Sequence, residues 1–582
     1  MDVNIKINGI GLTVPSEYNV LEAAHLAGIN IPSLCYMNLQ DMNVTNHVAS
    51  CRVCMVEIEG KRNLAPACST AVSEGMVIRT NTERARKARR TSVELLLSDH
   101  PSDCLVCEKN QKCDLQKIAA DLGIRGQLHY QGEMSSYQKD VSSQSIVRNP
   151  DKCILCRRCE TMCNEVQTCG ILSAVDRGFK TIVRPTFGLP LAETMCTFCG
   201  QCVAVCPTGA LTEVNSIPEV WDAINNPDKY VVVQTAPAVR VALGEEFGLE
   251  AGSNVTGEMV TALRKLGFDK VFDTDFAADL TIIEEASEFV HRLQHGGKLP
   301  MITSCCPAWI NFIESQFPDL LDNPSTCKSP HEMMGAVIKT YYAEKMKIAP
   351  EKIVVVSIMP CVAKKYEVSR SELSQDQMQN VDYVLTTREL AMMINEAGMD
   401  FNELEDGEFD SPLGESTGAA VIFGATGGVM EAALRTAYGW LTGTVLENLE
   451  MTQLRGFKGI REASISINGD DVKIAIAHGL GNARKLLEDI HKEKSDYALI
   501  EVMACPGGCI GGAGQPYHHG DSELIKKRAH ALYRADQEMA KRKSHENKDI
   551  LKLYHDFLGE FYGEKAHEVL HTHYLAKKEI KC

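Results

Sequence analysis

Twenty-three cysteines stand in a chain of 582 residues, and their spacing is the first feature that could do chemistry. Two runs, CILCRRCETMC from Cys153 and CTFCGQCVAVCP from Cys196, both read C-x2-C-x2-C-x3-C. Such a run holds [4Fe–4S] clusters, the fourth cysteine of each run serving the other cluster. The spacing assigns Cys153, Cys156, Cys159 and Cys206 to one cluster, and Cys163, Cys196, Cys199 and Cys202 to a second. Zinc is the alternative, but zinc knuckles meet across a longer spacer. Asn164 stands where the second run has Pro207, so the two turns are expected to differ.

Two further groups precede these. Cys35, Cys51, Cys54 and Cys68 approach the C-x4-C-x2-C…C spacing of a plant-type [2Fe–2S] site, with a first gap of fifteen residues in place of four. Zinc or free thiols are the competing reading. His100, Cys104, Cys107 and Cys113, in HPSDCLVCEKNQKC, suit either Cys3His zinc or a [4Fe–4S] cluster with one imidazole ligand. Their place between two iron–sulfur modules favours the cluster, because zinc would carry no electrons.

The second half supplies three separated pieces: TSCCPAW, MPCVAKKYE and EVMACPGGCIGGAGQP. They carry Cys305, Cys306, Cys361, Cys505 and Cys509, one more than a cubane needs. Adjacent side chains on an extended backbone point to opposite faces, so Cys305 and Cys306 cannot serve one metal equivalently. The glycines of GGCIGGAG let backbone approach a bulky group closely.

The elements that must position these residues follow from pattern. Residues 1–80 read as a small α+β module, with alternating Val3, Ile5 and Ile7. A helix with a basic first half spans 82–98. We delimit a [2Fe–2S] domain at 1–80, a His/Cys3 domain at 81–140 and a two-cluster domain at 141–222. From 223 to 517, strands such as KYVVVQT, KIVVVSIMP, DVKIAIAHG and DYALIEVM alternate with amphipathic helices, the mark of α/β layering. Residues 518–582 read as a helical tail, with Asn547 capping a helix that stops at Gly559. The expected fold is multidomain: α+β ferredoxin-like modules, a large α/β catalytic domain and the tail.

A net charge of −17 argues against a nucleic-acid surface. MDVNIKINGIGLTV lacks the features of a secretory signal, and no apolar run reaches the length of a membrane span. A cytoplasmic protein is expected, where clustered cysteines indicate metal or catalysis in preference to disulfides.

The three motifs and the order of the preceding cysteine groups resemble the [FeFe]-hydrogenases over essentially the whole chain. SHENKDILKLYHDFLG…HEVLHTHY resembles their small subunit, here fused. The layout is similar to the catalytic subunit of NADP-reducing, multi-subunit hydrogenases, and next to that of stand-alone ferredoxin hydrogenases. The resemblance implies an H-cluster: a [4Fe–4S] cubane joined through a cysteine sulfur to a two-iron unit with CO, cyanide and a bridging dithiolate. By motif match Cys306, Cys361, Cys505 and Cys509 hold the cubane, and Cys509 bridges. Lys364 donates to cyanide, while Met359, Met503, Ala236, Pro237, Ala238, Phe423 and Gly424 line the pocket. Cys305 stays unligated and relays protons, continuing through Glu285, Ser325 and Glu288. The implied cofactors are one [2Fe–2S], three [4Fe–4S] and the H-cluster. The implied substrates are H2 and protons, and the implied partners ferredoxin or flavin- and NAD(P)-binding subunits.

His331 stands where the family often has Gln, and Ala308 where Gly is frequent. Without the resemblance, Glu285 and Glu288 read as a solvated helix face, with Arg292 as ion-pair partner or path terminus. Gly479-x-Gly481 reads as a strand-to-helix turn, not a dinucleotide site. His567, His571 and His573 read as helix-packing residues, and Cys169, Cys327 and Cys582 as inert thiols. A pure electron-transfer subunit and an iron–sulfur assembly protein compete with the enzyme. The first leaves the three convergent motifs unexplained, and the second lacks the Cys305 and Lys364 features.

Overall fold

The computed structural model describes residues 1–577 except 43, 45, 126–128, 376–377, 444–448 and 468–469; Cys582 lies outside the described residues. The chain is multidomain, with amino-terminal modules preceding a large domain of helices and sheets. The first module is a five-stranded sheet in which Asp2–Ile7 pairs with Ile10–Pro15 and Val77–Arg79. Ile5 and Ile7 turn into its core, as strand alternation requires. Asn19 caps the helix Val20–Leu26 through a box with Glu22, which satisfies two orphan backbone donors. The basic stretch forms the helix Glu83–Leu97, capped by Thr82.

The catalytic region contains two four-stranded sheets, where the sequence pattern suggested only one kind of layering. Lys270–Asp273, Tyr230–Thr235, Ile353–Met359 and Tyr383–Thr386 lie side by side, all parallel. Every residue of Ile353–Met359 is buried, as expected of a parallel strand covered on both faces. In the second sheet Met301–Ile302, Leu499–Met503 and Asp470–His478 are parallel, and Ile460–Ile467 closes the edge antiparallel.

Four loops leave the carboxyl ends of these strands: Ala236–Ala238, Cys305–Cys306, Cys361 and Cys505–Cys509. Open α/β sheets place ligands there. The helix Thr274–His295 runs between the sheets with Glu284, Glu285 and Glu288 all buried, which overturns the solvated-face reading. Its amino end is capped by Asp273 and its carboxyl end by Gly296 in the left-handed region. Asp279 of this helix accepts from Thr417 and from Asn547, anchoring the carboxy-terminal segment. Asn547 Oδ1 in turn accepts the N–H groups of Asp549 and Ile550. Among the described residues no helix is long and apolar enough to cross a membrane.

Candidate active site and its electron approach

The four amino-terminal thiols Cys35, Cys51, Cys54 and Cys68 are buried and within hydrogen-bonding reach of one another: Cys35 with Cys51 and Cys68, Cys54 with Cys68. Arg52, between the second and third, takes a positive φ of 58°, which turns the loop sharply around them. His100 Nδ1 is buried without a hydrogen-bond partner. Such an atom costs free energy unless something unseen bonds it, and a cluster iron would. Cys113 is held above its ordinary pKa by burial, Cys104 is exposed, and Cys107 Sγ lies where a Cβ on Gly209 would fall.

Cys153, Cys156, Cys159 and Cys206 line one cavity of about 470 Å³. Cys163, Cys196, Cys199 and Cys202 line a second, of about 440 Å³. Burial raises Cys153 to about 11 and Cys156 to about 12, and raises Cys159, Cys163, Cys196, Cys199 and Cys202 as well. Thiols crowded in apolar surroundings are unstable as thiolates unless a cation compensates them. Cys169, read as inert, lines the second cavity too. Its burial there could not be seen from spacing.

The second cavity abuts the catalytic domain. Gln201 Nε2 donates to Gly511 O at 3.1 Å, and Gln167 Nε2 to Ala504 O at 2.8 Å. Gly481, in the discounted glycine motif, packs against Val166 O so closely that a Cβ would sit 2.8 Å away. That turn serves docking.

The main cavity, about 780 Å³, is lined by Cys305, Cys306, Cys361, Cys505, Cys509, Lys364 and His331, with Ala236, Pro237, Ala238, Met359, Phe423, Gly424 and Met503 as further walls. The backbone is packed tightly behind it. A Cβ on Gly512 would sit 2.1 Å from Pro360 O, and one on Gly508, at φ +100°, 2.7 Å from Thr426 N. Burial raises the Cys305 thiol well above its ordinary value, and Glu285, Cys509 and Cys306 push the same way.

Lys364 Nζ donates to Cys305 O at 3.2 Å and to Glu367 Oε2 at 2.7 Å. Burial works against the ammonium, but Glu367 and the neighbouring thiols outweigh it and hold Lys364 above its usual range. Despite burial, Glu367 is lowered to about 2 by Lys364 and His331. His331 Nε2 lies 2.6 Å from the same carboxylate oxygen, and burial and Lys364 lower His331 to about 4. It therefore donates from Nε2 as a neutral ring, and Nδ1 accepts from Ser357 Oγ at 3.2 Å.

Carboxylates lead away from Cys305. Glu285 Oε1 accepts the Ser304 N–H and O–H, each at 3.2 Å. Burial raises Glu285 to about 7, and Ser325 lies within its reach. Ser325 Oγ donates to Glu288 Oε2 at 2.7 Å, and Arg292 binds Glu288 from the other side.

Residues 229–513 match the iron-only hydrogenase large subunit, C-terminal domain, and residues 522–577 the iron hydrogenase small subunit. A 2Fe-2S iron-sulfur cluster binding domain matches 1–83, the NADH-ubiquinone oxidoreductase-G iron-sulfur binding region 89–127, and a 4Fe-4S binding domain 191–212. The chain is 56% identical over 584 residues to the NADP-reducing hydrogenase subunit HndD of Solidesulfovibrio fructosivorans, covering 99% of this chain and 100% of that one. The chain belongs to the [FeFe]-hydrogenases. Iron hydrogenase 1 of Clostridium pasteurianum is 39% identical over 98% of this hydrogenase and 99% of its own length. A solved [FeFe]-hydrogenase from Chlamydomonas reinhardtii is 43% identical with a TM-score of 0.57, covering 62% of this chain and 99% of that one.

The hydrogenase therefore has a catalytic domain for iron-hydrogenase chemistry behind amino-terminal iron–sulfur modules. Sequence reasoning did not single out Glu367, which serves both Lys364 and His331; its position three residues after Lys364 was the available signal. It also assigned His571 only to helix packing. The ring instead bridges Thr326 and Glu284.

Proposed function

We propose that this hydrogenase interconverts H2 with protons and electrons at an H-cluster held in the 780 Å³ cavity. The single observation behind this reading is the convergence of five thiols from three remote loops on one buried space. Cys306, Cys361, Cys505 and Cys509 would hold the cubane, with Cys509 shared with the two-iron unit. When bound, the H-cluster supplies the redox chemistry at iron centres carrying CO, cyanide and a bridging dithiolate.

The chain's own residues do the rest. Lys364 presents an ammonium to an anionic ligand, a charge-assisted bond of the stronger kind. Met359 and Met503 exclude water with soft, adaptable side chains. Cys305 keeps its proton, because burial and neighbouring anions oppose the thiolate. A neutral thiol at the cavity wall is a proton donor and acceptor. Glu285, also poised near neutrality, and then Ser325 and Glu288 carry the proton outward.

Cys35, Cys51, Cys54 and Cys68 would hold one [2Fe–2S] cluster, His100, Cys104, Cys107 and Cys113 one [4Fe–4S] cluster, and the crossed four-cysteine cavities two more, which would supply electron transfer to and from the site. The electron partners would be ferredoxin or subunits that bind flavin and NAD(P), in the cytoplasm. Infrared spectra of the matured protein in the CO and cyanide region test the cofactor. Bands absent after maturation, with iron–sulfur clusters present, would overturn the reading.

A further inference from the structure

The proton route proposed above needs an outer end, and Arg292 is badly placed to be one. Its Nε and Nη2 both donate to Glu288 Oε1, at 3.0 and 2.5 Å. The remaining N–H groups go to the carbonyls of Lys298, Asp322, Asn323 and Pro324, at 2.9 to 3.2 Å. A guanidinium does not release a proton in proteins. With every edge bonded, this one cannot turn to pass one either. Arg292 clamps Glu288 in place.

The other oxygen of Glu288 faces a different group. Oε2 accepts Ser325 Oγ on the cavity side, and Thr326 Oγ1 at 3.3 Å. The same threonine hydroxyl lies 2.8 Å from His571 Nδ1. His571 belongs to the carboxy-terminal segment and is held by an isolated antiparallel bridge to Cys327. The Lys328 N–H donates to Leu570 O, and the Thr572 N–H to Thr326 O, each at 2.8 Å.

His571 Nε2 is 2.9 Å from Glu284 Oε2. Glu284 is fully buried and also accepts from Tyr554 O–H and Tyr562 N–H. A carboxylate on one ring nitrogen sets which nitrogen is free to exchange. Nε2–H points to Glu284, and Nδ1 is left to Thr326. Ser325 and Glu288 have 0% and 1% of their surface exposed, whereas His571 has 8% and stacks at 4.0 Å on the half-buried His567. The titratable groups around the ring are Glu284 and Glu288 from the long helix, Cys327 beside Thr326, and Tyr554, Tyr562 and His567 from its own segment.

We infer that His571 is the outer relay of the proton route, acting on Glu288 through the Thr326 hydroxyl. For inward transfer, the His571 ring first takes up a proton from solvent, which leaves an N–H at both Nε2 and Nδ1, the latter facing Thr326. That N–H bond then breaks as an O–H bond forms on Thr326, whose original O–H proton passes to Glu288 Oε2. The imidazolium becomes neutral, the carboxylate becomes a carboxylic acid, and the threonine hydroxyl rotates to reset. H2 oxidation runs the same steps backwards.

The inference rests on the Glu285–Ser325–Glu288 reading, so the test includes Glu288→Gln. The full-length, H-cluster-loaded chain is assayed for viologen-linked H2 evolution, with infrared spectra of the cofactor and of the carboxyl band in H2O and D2O. His571→Ala and Thr326→Val should each slow turnover by about a hundredfold, within the range of a lost acid–base group. Cofactor bands should be unchanged, and the Glu288 carboxyl difference band should weaken. Added imidazole should restore His571→Ala but not Thr326→Val, and Thr326→Ser should keep most activity. If His571→Ala does not fold, the Thr326 pair carries the test. Near-normal rates in both His571→Ala and Thr326→Val, with Glu288→Gln inactive, would remove His571 and leave the inner route standing. A fully active Glu288→Gln would remove the inner route itself. Losses that neither imidazole nor Thr326→Ser relieves would make the segment structural only and overturn the relay.

Discussion

Gly200 and Val362 share the space in which a side chain would sit: a Cβ on Gly200 would lie 2.1 Å from Val362 Cγ2 and 2.7 Å from Ala513 Cβ. Gly200 follows a cysteine of the second four-cysteine run, and Val362 follows Cys361. The glycine thus brings the second four-cysteine cavity against the main cavity. Its φ of +70° adds a second reason for glycine. Gly200→Ala should push the two domains apart. We expect slower viologen-linked turnover with normal infrared bands from the loaded cofactor. Unchanged turnover in the purified variant would show that this close approach does not govern electron delivery.

Cys305→Ser should assemble a normal cofactor and lose most turnover. A hydroxyl is a far weaker acid than a thiol, so the exchange step at the cavity wall fails. H2 evolution with a chemical reductant measures this. Wild-type rates would refute the relay role of Cys305.

Glu367 holds two partners at once, Lys364 at 2.7 Å and His331 at 2.6 Å. Removing one member of a buried charged pair costs about 3–5 kcal/mol. Glu367→Gln should lower the thermal midpoint, and it should shift the cyanide infrared bands if Lys364 points at that ligand. A variant with both quantities unchanged would detach Glu367 from the site.

Glu285 predicts a pH signature. Burial lifts its carboxyl from 4.5 to about 7 in the folded chain. The folded state therefore holds this proton more tightly than the unfolded state. The penalty for ionising it is absent below about pH 4.5, grows towards pH 7 and is complete above, a span of about 3 kcal/mol. Asp279, at about 7, and Glu332, at about 8, slope the same way, so the comparison is between wild type and Glu285→Gln. Between pH 4.5 and 7 the variant should gain stability relative to wild type as pH rises. A constant difference in thermal midpoint would contradict the displaced carboxyl.

His100→Ala removes a buried ring nitrogen that has no protein partner. Electron paramagnetic resonance of the reduced protein should lose or alter one [4Fe–4S] signal and leave the others. An identical spectrum would mean that His100 is not a cluster ligand.

Much of this was legible in the linear sequence because cluster ligands recur at short, fixed spacings. The C-x2-C-x2-C-x3-C runs predict that the fourth cysteine of each crosses to the other group, and the two cavities are lined that way; the strands ending at Met359 and Met503 announce themselves by continuous apolar runs. The burial of Glu285 and Glu288 was not legible from periodicity. Around Glu284, Glu285 and Glu288 the helix is covered on every side, and local pattern does not report what covers each side. Nor could spacing place Cys169 in the second four-cysteine cavity or tie Glu367 to His331.

The order of residues by itself determined the metal chemistry, the sequence of cluster modules and the loops that carry the unpaired cysteine, since these depend on residue type and short-range spacing. Only the folded arrangement decided which carboxylates are buried, that Arg292 is clamped on every edge, and that His571 reaches Glu284 across 287 residues. Those facts depend on which distant surfaces exclude water from one another, and desolvation is a property of the packed structure.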